Sequence, residues 1–357
     1  MDAKTLEQYY IDFREFKHFF VKRCCIAKKY EVYKVWAHWL IRNLCKITNN
    51  YHLIPPEENV VNDTDILTHL QDKCVESALT DQFYRQIIQK VSELYHKYNQ
   101  LKIDHFNDHE RVVGTSGCID YEFIEKNGKQ IHLYKYGKVF VKYSSYTHNR
   151  LLSRYIGDQK CFRFHMFEMG FNYYMLDGHS FQWCIPPKAF TTLEKVLSLK
   201  TEFFASPINA TLPYYYSLFE VDKYFGAIDN FFNLDPNILM EGTYEINPPF
   251  IEYIFIESSK IVVSLLQNSQ NMGRDLMFLY VMPNWLDSMG YQMLTQSGFL
   301  LDEIRLTEKN HFYHQSAKHK LISANFESHV LVVGTSLAKN RWNEDIKNKF
   351  IEHFTHY

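Results

Sequence analysis

The two consecutive prolines at 248 and 249 constrain this chain more than any other pair of residues in it. They follow Thr243-Tyr244-Glu245-Ile246, which reads as a strand, and precede apolar positions at 251, 254, 255, 261, 262, 265 and 266, which read as a helix. Proline cannot donate to a sheet ladder, and it pushes the residue before it into an extended conformation. The strand must therefore stop at Asn247, and the turn into the helix is stiff. Further apolar runs at 202–205, 276–282, 299–305 and 329–334 predict strands on either side of this one. Strands alternating with helices over 201–357 predict a largely parallel, doubly wound sheet, an α/β Rossmann-like fold that binds ligands beyond the carboxyl ends of its strands.

The first 200 residues have a different texture. Phe13, Phe16, Phe20, Val32, Val35, Trp36, Trp39 and Leu40 recur at helical spacing within 3–47, predicting one long helix or a broken pair with both tryptophans in its core. A loop over 51–65 follows, with Thr64 or Asp65 capping a helix that runs to about 101. Over 117–143 the period becomes two, and Asn127-Gly128 predicts a type I′ hairpin turn inside a small antiparallel meander, closed by a second turn at Tyr136-Gly137. Helical spacing returns over 145–156 and 158–177, and Pro186-Pro187 opens a helix that reaches Leu199. The chain thus reads as a mainly helical domain, 1–200, followed by an α/β domain, 201–357.

At 357 residues, with 46% hydrophobic and 22% charged residues, the chain is long enough for two globular domains. Its seven cysteines form no CxxC pair, which predicts reduced thiols and argues against structural zinc or any other metal. The amino-terminal MDAKTLEQYY lacks the apolar core of a signal peptide, and no apolar run has membrane-spanning length. The reading is a soluble protein inside the cell, in cytoplasm or nucleus with the cytoplasm favoured, and with no membrane partner. The net charge of −2 conceals an asymmetry. Residues 129–165 hold eight Lys or Arg against one acid, and 206–257 hold eight acids against one base, Lys223. A basic stretch followed by an acidic one suits phosphate binding beside a site for something cationic, and equally suits two solvated faces.

The strand-ending stretch carries chemistry of its own. Two prolines leave Asn247 and the peptide carbonyls as unpaired acceptors at the strand's carboxyl end, with the flat ring of Phe250 beside them. N-methylation of adenine requires such a set. The exocyclic amine is a poor nucleophile because its lone pair is delocalised into the ring. Asn247 Oδ1 and a proline carbonyl accepting the two N6 hydrogens would favour the pyramidal nitrogen of the transition state. Phe250 would stack on the base, and S-adenosylmethionine would supply the methyl group. The junction Thr201–Asn209, about 40 residues earlier, suits the first loop around such a cofactor. Asp229 reads either as a ligand for the cofactor's ribose or as a turn cap. The same chemistry on internal RNA or DNA adenines, and a non-catalytic RNA-binding scaffold of the same fold, remain open on this reading.

A wider set of segments carries a resemblance. LYKYGKVFVKYSSYTHNRLLSRY (133–155), CFRFHMFEMGFNYYML (161–176), FFASPIN (203–209), YFG (224–226), YEINPPF (244–250), PNW (283–285), HFYHQSAKH (311–319) and HVLVV (329–333) follow one another in order. Through them the chain resembles the phosphorylated-CTD-interacting factor family, the cap-specific adenosine N6-methyltransferases, over roughly 130–335. The resemblance implies a helical domain that binds capped RNA and a Rossmann-like domain that methylates N6 of the 2′-O-methyladenosine after a 7-methylguanosine cap. It implies that Asn247, Pro248, Pro249 and Phe250 hold the base. Phe204, Ala205, Ser206, Pro207 and Asn209 would line S-adenosylmethionine, with Phe225, Gly226 and Glu245 nearby. RNA would meet Lys138, Lys142, Arg150, Arg154, Lys309, His311, His314 and Lys318, the last four in a loop between strands, where His314 replaces the family's more frequent arginine. The family's vertebrate members carry a WW domain for the RNA polymerase II tail. No tandem-tryptophan module is read in this chain, so the tail is not expected as a partner.

Overall fold

The structure is a computed structural model that describes residues 3–24, 26, 28–45, 53–56, 59–60, 66, 70, 77–98, 109–176, 182–234 and 241–356. They divide into two compact units, Met1–His179 with Phe219–Phe225, and Ser180–Leu218 with Gly226–Tyr357. None of the described helices is long and apolar enough to cross a membrane.

The first unit contains helices α1 (Ala3–Arg23), α2 (Lys29–Cys45), α3 (Ser77–Tyr98) and α4 (His109–Gly117). A meander of β1 (Asp120–Lys126), β2 (Lys129–Tyr136) and β3 (Val139–Ser144) follows, and then α5 (Ser145–Arg154) and α6 (Phe162–Leu176). The helical pattern over 3–47 resolves into a pair, α1 and α2. Phe16 and Phe20 meet the Trp36 ring edge-on at 5.5 and 5.1 Å. Trp36 Nε1 donates to the Met175 carbonyl at 2.6 Å, so the buried indole keeps its hydrogen bond. The expected caps Thr64 and Asp65 lie outside the described residues. Asn127 and Gly128 take φ of 53° and 69°, the left-handed pair that a type I′ turn demands. The inner face of the meander buries Tyr134, Tyr136, Val139, Val141 and Tyr143.

The second unit runs β4 (Trp183–Cys184), α7 (Pro187–Leu197), β5 (Thr201–Phe203), β6 (Tyr214–Tyr215), β7 (Gly242–Ile246), α8 (Glu252–Asn271) and β8 (Leu276–Pro283). It continues with α9 (Met289–Thr295), β9 (Leu300–Leu306), β10 (Phe312–Gln315), β11 (Lys320–Ser323), β12 (Ser328–Gly334) and α10 (Glu344–Thr355). Six strands form one sheet in the order β6-β5-β7-β8-β12-β9. β6, β5, β7 and β8 are parallel, while β12 runs antiparallel to both of its neighbours, β8 and β9. The expected largely parallel sheet is therefore mixed. Its cause is the connection from β9 to β12, which contains a hairpin and no crossover helix, so the chain returns in the opposite direction. Helices and a mixed sheet of this kind are compatible with a Rossmann-like fold.

Every residue of β8 is buried, as a strand covered on both faces should be. Met277, Leu279 and Val281 join one apolar layer with Phe190 and Leu193 of α7 and Phe350 and Phe354 of α10. Phe278, Tyr280 and Met282 join the other with Phe255, Val262 and Leu265 of α8. The stretch expected as a loop between β9 and β12 is instead the hairpin of β10 and β11, and β10 also pairs with β4. Both strands are four residues long and half polar, which hid the period-two signal. Among the described residues Cys24, Cys45, Cys118, Cys161 and Cys184 are free thiols.

α8 and α9 approach closely at Gly290, where an added Cβ would lie 2.7 Å from Phe255 Cβ and 2.8 Å from its carbonyl carbon. The backbone is part of that contact, so rotation of the Phe255 side chain cannot relieve it. Gly290→Ala should lower the unfolding free energy by about 1–3 kcal/mol. The measurement is a urea titration, and a midpoint equal to wild type with an unchanged slope would contradict this packing.

Candidate active site at the switch point of the sheet

The chain leaves β5 to one side for β6 and later returns on its other side as β7. Connections that diverge in this way open a crevice at the carboxyl ends of the two central strands. Phe203 and Ile246 are register partners at the ends of β5 and β7. The segments that follow, Phe204-Ala205-Ser206-Pro207 and Asn247-Pro248-Pro249-Phe250, therefore leave the sheet side by side.

The Asn-Pro-Pro-Phe turn is tightened by Ile251 N, which donates to the Pro249 carbonyl at 2.7 Å. Among the described residues, the Pro248 carbonyl and the Asn247 side-chain amide take part in no hydrogen bond within the chain. Asn247 is half-buried, and so is Phe250. The Phe250 ring packs against both apolar layers of the sheet. Phe326 stands edge-on to it at 5.5 Å and 86°, and Trp285 at 6.5 Å and 66°.

The loop after β5 begins with strain. Phe204 has φ of 64°, a left-handed conformation uncommon for a bulky side chain and costing on the order of 1 kcal/mol. Its half-buried ring lies 4.7 Å from Phe231 and 5.6 Å from Phe232. Ser206 and Asn209 are buried and bonded to each other. Asn209 Oδ1 accepts from Ser206 N at 2.7 Å, and Ser206 Oγ accepts from the backbone N–H groups of Ile208 and Asn209 at 3.2 Å each. Ser206 Oγ also lies 2.7 Å from Gln182 Oε1 and 2.9 Å from Asn209 Oδ1, one of which receives its single proton. Ser206, Pro207 and Asn209 thus build the loop from inside, while Phe204 and Ala205 present its surface.

Asp229 follows the single bridge between Tyr215 and Ala227. Its Oδ1 accepts from Asn230 N at 2.7 Å and Asn233 Nδ2 at 3.4 Å, and its carbonyl accepts from Ser217 N at 2.8 Å. The turn-capping role is therefore present, at the strand end where a ribose ligand would also stand. Gly226 has φ of 94°. Phe225 is fully buried in the first unit, 5.4 Å from Tyr155, so its ring belongs to that core.

Glu245 is buried and is the register partner of Glu202. Glu202 Oε1 accepts from the backbone N–H groups of Thr211 and Leu212, each at 2.5 Å. Burial first, and the neighbouring Glu202 second, push the Glu245 carboxyl well above the usual carboxylate range. Burial, with Glu202 next, pushes the Cys184 thiol up to about 12, which keeps it from acting as a thiolate nucleophile.

The basic residues divide differently from the sequence expectation. Lys138 and Lys142 are exposed on the meander, Lys142 Nζ lying 4.9 Å from the Phe140 ring centre, and Arg150 and Arg154 are half-buried on α5. Lys309 and Lys318 are exposed on the second unit. His311 is fully buried, with Nδ1 2.9 Å from the Thr307 carbonyl and Nε2 2.8 Å from Ser328 Oγ, and burial lowers its pKa. His314 is buried with Nδ1 3.2 Å from Ser316 Oγ and 3.8 Å from Cys184 Sγ. Both histidines are buried, so the expectation that they meet RNA as surface cations does not hold. Sequence reasoning missed Phe326 and Glu327, whose one signal was an aromatic residue within the polar segment SANFES.

The residues present fit a nucleoside-bearing sulfonium cofactor. Phe204 and Phe232 offer flat apolar surface, Asp229 a carboxylate at the next strand end, and Glu245 a carboxyl with no hydrogen bond to another described residue. With a mixed sheet and two loops abreast at the ends of β5 and β7, the second unit is compatible with a Rossmann-like fold.

Comparison with known proteins points the same way. Residues 141–316 match the family model described as "Phosphorylated CTD interacting factor 1 WW domain". The mRNA (2′-O-methyladenosine-N(6)-)-methyltransferases of Mus musculus and Homo sapiens are 28% and 27% identical over 156 residues, 43% of this chain and 21% of each relative. The match thus spans about a fifth of the length of these relatives. Both findings support the resemblance to the phosphorylated-CTD-interacting factors. They also correct one expectation: a match to a model described as a WW domain overturns the reading that the chain lacks one, and with it the exclusion of the polymerase tail.

Because the pKa of Glu245 is raised in the folded state, the folded chain binds its proton more tightly than the unfolded chain does. The resulting stability is full below the ordinary carboxylate pKa and is lost as pH rises through the raised value. Glu245→Gln, which keeps a neutral side chain of the same shape, should remove that loss. The melting temperature of wild type should fall relative to Glu245→Gln across the window that opens above the ordinary carboxylate range. Parallel melting curves across that window would show that Glu245 is ionised when folded.

Proposed function

We propose that this chain transfers a methyl group from S-adenosylmethionine to N6 of adenosine in RNA, and that its substrate is the 2′-O-methyladenosine next to the cap of mRNA. The observation that carries the reading is the pair of loops abreast at the ends of β5 and β7, with the acceptors of Asn247 and Pro248 uncommitted.

Asn247 Oδ1 and the Pro248 carbonyl accept the two N6 hydrogens of the bound base. The Pro248 carbonyl is held by the ring's fixed φ, and the backbone that carries Asn247 is restricted to an extended conformation by the proline after it. Drawing on those hydrogens returns electron density to nitrogen, and fixed acceptors need no reorganisation as positive charge develops. Phe250 stacks on the base, worth about 1–3 kcal/mol. The bound cofactor supplies an electrophilic methyl group on a sulfonium centre. With the cofactor bound, N6 would gain that carbon as the carbon–sulfur bond breaks and leaves its electron pair on sulfur as a neutral thioether, and N6 would shed one hydrogen as a proton to water. Phe204, Ala205, Asp229 and Glu245 are the residues that would hold the cofactor, on a loop whose shape Ser206, Pro207 and Asn209 set. The curated relatives carry mRNA and 2′-O-methyladenosine in their names, which favours that nucleoside here. Lys138, Lys142, Arg150 and Arg154 in the helical half, and Lys309 and Lys318, would meet RNA phosphates, a contribution that weakens with salt.

The test is transfer of labelled methyl to short RNAs beginning with capped 2′-O-methyladenosine, beside uncapped RNAs and RNAs or DNAs with internal adenines. Capped RNA should be labelled, and Asn247→Ala should lower kcat by on the order of a hundredfold or more. Equal labelling of uncapped RNA would widen the substrate to adenosine in general. No labelling of any adenine-containing substrate would overturn the activity.

A further inference from the structure

Phe326 is the ring nearest Phe250 in the edge-on pair, and the segment that carries it is tied down at both ends. Ala324 N donates to the His311 carbonyl at 2.9 Å, and Lys309 N donates to the Ala324 carbonyl at 2.8 Å. At the other end Asn284, the first residue after β8, holds Glu327 twice. Its backbone N donates to the Glu327 carbonyl at 3.0 Å and its Nδ2 to Glu327 Oε2 at 2.5 Å. Behind Phe326 stands Tyr313, with ring centres 5.9 Å apart, and His311 backs it at 6.3 Å. His311 is itself fixed through both ring nitrogens. Phe326 is thus half-buried between Phe250 on one side and Tyr313 and His311 on the other.

We propose that Phe326 is a positioning residue that sets the plane of Phe250 for stacking on the substrate base, and that the Asn284–Glu327 pair is the latch that keeps it in place. The inference rests on the methyl-transfer reading above. Phe326 packs with the apolar layer of α7 and α10, Trp285 with the layer of α8, and Phe250 with both. The two edge-on contacts thus reach Phe250 from the two layers that cover opposite faces of the sheet. A half-buried phenylalanine at a strand end otherwise has a broad choice of ring torsion. Edge-to-face neighbours on two sides narrow that choice, because each pair prefers one mutual orientation. A base stacked on a ring at the wrong tilt places N6 away from Asn247 and Pro248. Misplacement of about 1 Å at a reacting atom costs as much as a hundredfold in rate.

The experiment measures kcat and KM for capped RNA, and the S-adenosylmethionine dissociation constant, for wild type, Phe326→Ala, Phe326→Leu, Phe326→Tyr, Glu327→Ala and Glu327→Gln. Each is assayed at a temperature where circular dichroism shows it folded. Phe326→Ala and Phe326→Leu should lower kcat by roughly tenfold to a hundredfold. Cofactor affinity should stay within about twofold, because the lost contact lies on the base side of the site. Phe326→Tyr, which keeps the ring, should restore kcat. Glu327→Ala should fall between wild type and Phe326→Ala, and Glu327→Gln, which keeps an acceptor for Asn284 Nδ2, should recover. Phe326→Leu with wild-type kcat and KM would overturn the inference, since leucine retains the packing and lacks only the flat ring. A wild-type chain that labels no RNA would overturn the methyl-transfer reading and this inference together, so the two failures are distinguishable.

Discussion

The pairing of β5 with β7 is the constraint on which the rest of the site depends. Parallel register places Phe203 opposite Ile246, so the chain emerges from both strands at the same height. Slippage by one residue would turn every side chain of one strand to the opposite face. Glu202 and Glu245 would then leave their common face, and Ile246 would turn out of the α8 layer. The register is held from both sides of the sheet. Phe203 stacks on Tyr244 at 5.4 Å within the α8 layer, and Glu202 anchors the Thr211–Leu212 backbone on the other face. Neither anchor touches the proposed substrate, yet each fixes where its loop begins.

Buried polar groups around the crevice fall into those that shape it and those left for a ligand. Ser206 and Asn209 spend their hydrogen bonds on each other and on the turn they enclose. That compact turn does the work that glycines do in most strand-to-helix cofactor loops, and the remaining strain appears one residue earlier, at Phe204. A residue held in the left-handed region persists only where its surroundings overdetermine it. Here the surroundings are the Phe231 and Phe232 rings on one side and the Ala205 to Tyr216 hydrogen bond on the other.

Much of this was legible in the sequence because it rests on local rules. Pro248-Pro249 announced the end of β7, Asn127-Gly128 the first turn of the meander, and the apolar run of β8 a strand covered on both faces. The failures came where long-range pairing decides the outcome. A four-residue strand such as Phe312–Gln315 has too few positions for a period, and its partners β4 and β11 lie on either side of it in the fold and far apart in the chain. His311 and His314 therefore looked like surface cations. Burial in the hairpin makes them packing groups, with His311 held neutral by the surroundings that bury it. Phe225 misled for the same reason: the tripeptide that suggested a cofactor turn ends one compact unit and begins the other. No local pattern distinguishes an aromatic residue that closes a core from one that faces a ligand.

Asn247 shows how the site's chemistry follows from what the prolines prevent. An amide oxygen and a carbonyl at a half-buried strand end would ordinarily be taken up by the first N–H groups of the following helix, in the manner of an N-cap. Two of the nearest N–H groups are absent, because residues 248 and 249 are prolines. Phe250 N and Ile251 N remain, and of these Ile251 N is already bonded to the Pro249 carbonyl. Helix α8 begins at Glu252 without a side-chain cap hydrogen bond, so its first turn makes no claim on Asn247 either. Two acceptors are thus kept uncommitted at one edge of the crevice by chemistry written into four consecutive residues. A polar group left open in this way costs stability unless something outside the chain completes it. The exocyclic amine of a base, with two hydrogens to offer and a flat ring to lay on Phe250, has the complementary form.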